Sequence, residues 1–496
     1  MASCNSEGER FSMNPYGQFD NALDLQSQVT DGLLQYDESL QLYTLTATGA
    51  GVAGETGRDD YFFAWKAVQG DFILRAELHS DPDIPGRGTF GLAVRNTISD
   101  DSGMISMAVG SNGTMSLVSR NSKGGDSNTE TTADLNPDVI EVERVNGRFR
   151  FRAARFGEPL VLVAESEAVL RNELHAGLFV SGGSPEIPAS AVFRNVRIVK
   201  PMPEDAVQYQ QYLGSRMEVL DVESGMRTIL FDSEHSVQAP NWTVDGKRLI
   251  YNSNGYLYNY HLDTGRITYL NTGFAISNNN DHVISIDGSL LAISHHVAED
   301  NNQSTIYVLP VDGSDEPQQV TGTGLGHAFL HGISPDNRFV TFTGWRNGKY
   351  DIYIADIGTM EETQLTDTPF LDDGSEYTPD GSYIYFNSNR SGAMQIWRMK
   401  PDGSEQTRVT FDENFNDWFP HISPDGRKIL FLSYGTDVES GDHPFYKHVT
   451  LRMMPADGGE PRIVAYLYGG QGTINVPSWS PDSKRVAFVS NSGRFY

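Results

Sequence analysis

Two kinds of hydrophobic patterning divide the chain. From about residue 10 to 205, short runs alternate apolar with polar side chains, at 40–46, 72–78, 90–95, 107–109, 115–118, 139–145, 149–153, 160–164, 176–180 and 191–199. A period of two over this many runs, with no sustained 3.6-residue period, predicts a two-sheet antiparallel sandwich. Around Pro201, Met202 and Pro203 the pattern stops. The acidic, proline-bearing stretch reads as a linker, and the polar segment 206–216 after it is a candidate for a helical turn.

From residue 217 onward the chain repeats itself. A turn built as Ser/Thr-Pro-Asp-Gly or a close variant recurs with its aspartate at Asp245, Asp287, Asp336, Asp380, Asp425 and Asp482, at spacings of 42, 49, 44, 45 and 57 residues. Proline pre-sets the first turn dihedral, aspartate bonds its own backbone, and glycine accepts a positive φ, so each copy predicts a tight hairpin. An apolar strand follows every turn, as at 248–251, 339–342 and 428–432, and a second and third strand follow that. Units of four strands that cannot bury their faces alone are propeller blades, and six turns predict six blades. The first unit starts with outer-strand sequence (217–221, 228–231) and the last stops after its inner strands (486–490). The two ends are therefore expected to share one blade, which removes an exposed edge. The fold class expected is all-β: residues 1–9 a tether, 10–205 the sandwich, 206–216 a linker and 217–496 a six-bladed β-propeller.

Composition narrows the function classes. The 496 residues carry 37 Lys plus Arg against 65 Asp plus Glu, a net charge of −28. A surface this acidic repels phosphate backbones, so nucleic acid is not an expected partner. No apolar run is long enough to span a bilayer as a helix. The single cysteine, Cys4, excludes an internal disulfide framework and thiol catalysis in a folded site. Motifs for a nucleophile elbow, a phosphate-cradling loop or dinucleotide binding are absent from the sequence.

Three resemblances add to this reading. The start Met1-Ala2-Ser3-Cys4-Asn5-Ser6-Glu7 resembles a mature bacterial lipoprotein, which implies a lipid anchor at Cys4 and a periplasmic or outer-membrane location. The runs at 139–150, 176–183 and 191–199 resemble the closing strands of concanavalin-like jelly rolls, a family that commonly packs on or binds carbohydrate. Residues 387–410, with Asn387-Ser388-Asn389-Arg390, Ile396-Trp397 and Pro401-Asp402-Gly403-Ser404, resemble the repeat of the TolB-like six-bladed propellers. That resemblance spans 217–496 and implies fold more than function, since such propellers serve as binding proteins, peptidase gates and sugar lyases.

Chemistry is expected where inner strands line the channel of a propeller. Counting four or five residues back from each turn aspartate collects His282, His331, Glu376 and His421 on successive blades. Three imidazoles and a carboxylate suit a divalent ion such as Mn, Zn, Ca or Ni. Oligogalacturonate lyases, a TolB-like branch, hold a divalent cation through channel histidines, and this sequence resembles them in carrying His282, His331 and His421 before the turns. That resemblance implies β-elimination from a uronate, with His295 or His296 as candidate bases. Asp373 with Glu376 is the alternative, an acid/base pair for hydrolysis. Asn280, Asp281, Asn416, Trp418, Gln471 and Asn475, in the loops entering inner strands, are candidate saccharide-binding groups. His443 and His448 sit in the longest insertion, a candidate lid. The expected function is cleavage of a glycosidic bond, by a lyase or hydrolase, at the channel mouth. The alternative is a non-catalytic propeller that binds a glycan or protein.

Overall fold

The computed structural model describes residues 9–10, 14–25, 32–53, 57–79 and 88–495; Cys4 lies outside them. Clustering of backbone contacts gives two compact units, one built on Ser12–Pro201 and the other on Met202–Gly225 and Ile229–Ser492.

The first unit consists of two seven-stranded antiparallel sheets. Alternation places one face of each strand in a shared core, which is clearest in Leu42–Gly49, where every second residue is buried. Phe72, Leu74, Phe149, Phe151, Leu178 and Phe193 belong to that core. A fully buried ionic knot lies at one end of the sheet. Asp59 accepts from Arg95 Nη1 at 2.6 Å and from both terminal nitrogens of Arg120, at 3.0 and 3.1 Å. Among the strands of the same sheet that the alternation did not mark are Phe62–Gln69 and Asn128–Asp134. The first is nearly continuous in apolar residues and the second nearly all polar, so neither alternates.

The second unit is a six-bladed propeller. Blades one to five have inner strands Gln238–Trp242, Asn278–Ile284, Ala328–Ile333, Asp372–Tyr377 and Phe415–Ile422, each the first of a four-stranded sheet. Blade six joins the two ends of the repeat. Its strand Arg485–Asn491 pairs with Ser215–Asp221, from Ser215↔Asn491 to Asp221↔Arg485, and Arg227–Ser233 follows. Glu9–Arg10 adds a further short strand to that sheet through Arg10↔Phe231.

All six repeat turns share one construction. The turn Ser or Thr hydroxyl donates to the aspartate two residues on, at 2.5–2.7 Å. The same hydroxyl accepts the amide five residues on, at 2.9–3.1 Å. These bonds hold the carboxyls of Asp287 and Asp380 down at about 2, so the turn aspartates are anionic staples and not acids for chemistry.

The expected helical character of 206–215 is reduced to one turn, in which the Gln210 and Gln211 amides donate to the Val207 carbonyl, and no helix forms there. Among the described residues the only helical element is the short 3₁₀ turn Ala298–Asp300.

Candidate functional site

The inner strand of each of blades one to five is bulged just before its repeat turn. The register shifts between Gln238 and Asn241, Asn278 and His282, Leu330 and Gly332, Asp373 and Glu376, and Trp418 and His421. A bulge sets two residues against one and re-aims the side chains on either side of it. Ala239, Gly374 and Phe419, each six residues before its turn aspartate, take φ of +53°, +64° and +54°. Counting four or five residues back from each turn therefore mixes a residue within a bulge, His331, with residues at its end toward the turn, His282, Glu376 and His421.

The residues before the bulges surround a cavity of about 900 Å³. Its polar lining includes Gln238, Asn252, Asn280, Asp281, Asp373 and Asn475. Its apolar lining is largely aromatic, with Tyr209, Tyr212, Phe329, Tyr350, Phe419 and Phe445.

At its floor lies an acid–imidazole–acid cluster. His331 Nε2 is 3.0 Å from Asp373 Oδ1. That oxygen also accepts from the Thr343 hydroxyl at 2.5 Å and from the Gly374 amide at 2.7 Å. The other oxygen, Oδ2, faces His443 Nε2 at 3.9 Å. Asp281 is buried next to this pair; Asn279 donates its amide to Oδ2 at 2.8 Å. The surroundings split the two carboxyls. Burial, reinforced by the charge of Asp373 and only partly opposed by His331, pushes Asp281 up to about 7. Burial acts on Asp373 in the same direction, but His331, His443 and the Thr343 hydroxyl overcome it and hold the group down at about 2. Burial disfavours the imidazolium of His331, yet Asp373 and Asp281 outweigh it and raise its proton affinity.

Asn280, Asp281, His296, His331, Asp373, Gln471 and Asn475 line the cavity. Asn475 bonds internally, donating to Gln471 Oε1 at 3.0 Å and accepting the Gly472 amide. His296 reaches the cavity with its Nδ1 2.9 Å from the Asn302 carbonyl. The remaining candidates serve other ends. Glu376 pairs with His421 Nδ1 at 2.6 Å and accepts the Ile422 amide, while His421 Nε2 bonds the Ile474 carbonyl. His282 Nε2 lies 3.2 Å from the Ile250 carbonyl, and burial drives its proton affinity down to about 4. His295 accepts the Ser277 amide and packs against Phe274 and Tyr307. Asn416 spends its amide on the Met394 and Val438 backbone, and Trp418 is fully buried beneath His443.

The expected metal set is thus not assembled. His282, His331, Glu376 and His421 divide between a backbone carbonyl and two separate His–carboxylate pairs. No group of three or more His, Cys, Asp or Glu side chains among the described residues is placed to hold an ion. Nor are Asp373 and Glu376 a pair: they lie on opposite sides of one bulge, and the group that complements Asp373 is Asp281. Thr343, Tyr350, Phe419 and the rim rings Tyr209, Tyr212 and Phe445 carried no mark in the sequence, because packing between distant segments brings them together.

Six four-stranded blades, with a polar and aromatic cavity lined by their inner strands, define a six-bladed β-propeller. The chain belongs to the TolB-like propeller family. The family model for the TolB β-propeller domain (PD40) matches residues 284–442. An uncharacterized protein of Agrobacterium fabrum, Atu1656, is 43% identical over 276 residues, which span 55% of this chain and 92% of that protein. A solved structure from Agrobacterium tumefaciens, described as a TolB, is 41% identical and is covered along 100% of its length, with a TM-score of 0.54. The Tol-Pal system protein TolB of Francisella tularensis is 25% identical over 261 residues, and the match spans 51% of this chain and 56% of that protein. An oligogalacturonate lyase solved in complex with manganese is a more distant likeness, 16% identical over 47% of this chain and 66% of that one, with a TM-score of 0.35.

Proposed function

We propose that the chain cleaves glycosidic bonds of an oligo- or polysaccharide at the cavity, by acid/base chemistry centred on Asp281 and Asp373. The observation that supports this reading best is the split between two neighbouring buried carboxyls, one near 7 and the other near 2. A pair of carboxyls pushed apart in this way supplies an acid and a permanent anion within one site. Asp281, protonated in part at neutral pH, donates its proton to the glycosidic oxygen as the C–O bond breaks. Asp373 stays ionised and its Oδ2 offsets the positive charge developing at the anomeric carbon. The Asp281 carboxylate then takes a proton from the attacking water, which closes the cycle with one water consumed. His331 fixes Asp373 and keeps its charge. The chemistry uses no metal, in keeping with the donor set above. As part of the same proposal we place the protein in the bacterial envelope, in line with its likeness to the Tol-Pal system protein TolB.

The test is release of reducing ends from a panel of oligosaccharides by the full chain and by D281N. Cleavage by the unsubstituted protein that falls about 10²–10⁴-fold in the variant supports the proposal. Glycan binding without any product would leave a binding propeller instead.

A further inference from the structure

We propose that the cavity takes an uncharged sugar chain and that Tyr209 and Tyr212 form a stacking subsite for one of its rings. This rests on the saccharide reading above but concerns recognition, not cleavage.

The rim of the cavity carries an aromatic group assembled from two stretches of chain. Tyr209 and Tyr212 come from the segment before blade six, and Phe445 from the insertion between the second and third strands of blade five. Phe445 is buried, and the two tyrosines stand edge-on to it, with ring centroids at 5.4 and 5.8 Å and interplanar angles of 72° and 86°. Both tyrosines nevertheless stay open, at 54% and 47% exposure, while lining the cavity. They are held there. The Leu213 amide donates to the Tyr446 hydroxyl at 2.9 Å, the Tyr212 hydroxyl donates to the Tyr209 carbonyl at 3.0 Å, and Gln208 reaches the Phe445 carbonyl at 3.5 Å. Tyr209 itself sits at φ +63°, a conformation that a bulky side chain adopts only when its surroundings impose it. Two fixed, half-open rings beside a polar cavity are the arrangement that recognises the apolar face of a pyranose.

Charge sets the class of sugar. The carboxyl and imidazole groups lining the cavity are Asp281, Asp373, His296, His331 and His443, with no lysine or arginine among the described lining residues. The imidazole of His331 is already matched by Asp373 and Asp281. A uronate, sulfate or phosphate is ordinarily held by an arginine fork or a lysine. Here its anion would meet two carboxyls, one of them permanently charged. The side-chain amides of Asn254, Asn280 and Gln238 offer donors and acceptors together, which suits neutral hydroxyls.

The test is calorimetric titration of the full chain, and of Y209A/Y212A and Y209F/Y212F, with cellohexaose, xylohexaose and mannohexaose as neutral probes and hexagalacturonate as the anionic one. The expected result is binding of at least one neutral hexasaccharide, weakened tenfold or more in Y209A/Y212A and retained in Y209F/Y212F, at an unchanged unfolding midpoint. Hexagalacturonate binding more tightly than every neutral probe would overturn the inference, as would neutral binding indifferent to loss of the rings. Either of those results leaves the cleavage reading standing if products form. Tyrosine-dependent binding without products removes cleavage and keeps the subsite. An absence of binding to all four probes overturns the subsite.

Discussion

At the scale of single residues, the site is governed by which proton each carboxyl keeps. Folded Asp281 holds its proton up to about 7, whereas an unfolded aspartate releases it near 3.8. Between those values the native state binds more protons than the unfolded state, so this residue's contribution falls as pH rises across that window. D281N carries no such penalty. Urea unfolding at pH 4 and pH 8 should show the variant gaining about 3–4 kcal/mol on the unsubstituted protein at the higher pH; identical pH dependence in both proteins would refute the assignment. Asp373 acts in the opposite sense, contributing stability above about 3.8 that is lost as pH falls toward 2. H331Q removes the imidazole that faces a buried anion and should cost about 3–5 kcal/mol at neutral pH. Its acid unfolding should also begin at higher pH, because Asp373 then titrates closer to its ordinary value. Asp281, His331 and Asp373 were each legible from the sequence as polar residues ahead of a repeat turn. Their partnership was not, because Glu376 stands three residues from Asp373 and has the same chemistry in a different environment.

At the scale of elements, the hairpin turns were readable because their chemistry is local: hydroxyl, aspartate and positive-φ residue lie within five positions. The bulges were not, since one extra residue leaves no trace in an alternating pattern, and they decide which side chains reach the cavity. Gly374 shows the constraint. Its φ is +64°, and a Cβ there would lie 2.3 Å from Asn387 Oδ1, the atom that accepts the Phe419 amide. G374A should therefore cost about 2–4 kcal/mol, combining left-handed strain with a displaced hydrogen bond. In the same blade, G392A meets nothing within 4 Å at φ +104° and should show the backbone strain alone, about 1 kcal/mol. Comparable losses in the two variants, measured by denaturant unfolding, would mean that the bulge tolerates a side chain. The rim segment carrying Tyr209 and Tyr212 reads as a plain linker for a related reason: its fixed shape comes from Phe445 and Tyr446, more than 230 residues away.

At the scale of the whole propeller, the order of the repeat already required the ring to close on itself, since outer strands at one end match missing outer strands at the other. The pairing of Ser215–Asp221 with Arg485–Asn491 supplies that closure. Each blade buries its faces against two neighbours, so a weak joint removes support from both sides of the ring instead of fraying one end. Ala487 lies in that joint: it is fully buried opposite Val219, and its amide donates to the Ser478 carbonyl at 2.9 Å. A487P deletes that donor inside a paired strand and should cost about 3 kcal/mol or more, lowering the propeller's unfolding midpoint by about 6–12 °C. Gln319 provides the contrast. It lies in the outermost strand of blade two, where the Val320 amide donates inward to Ile306; by alternation the Gln319 amide faces outward. Q319P keeps every ladder bond and should shift the midpoint by no more than about 2 °C. Calorimetry of the two variants separates damage to the closing blade from damage at an outer edge: equal shifts would mean that blade six is no more critical than the edge of blade two. A large loss confined to A487P would show that the cavity wall depends on the strand Arg485–Asn491, which links the Ser478 segment to the strand from the other end of the propeller.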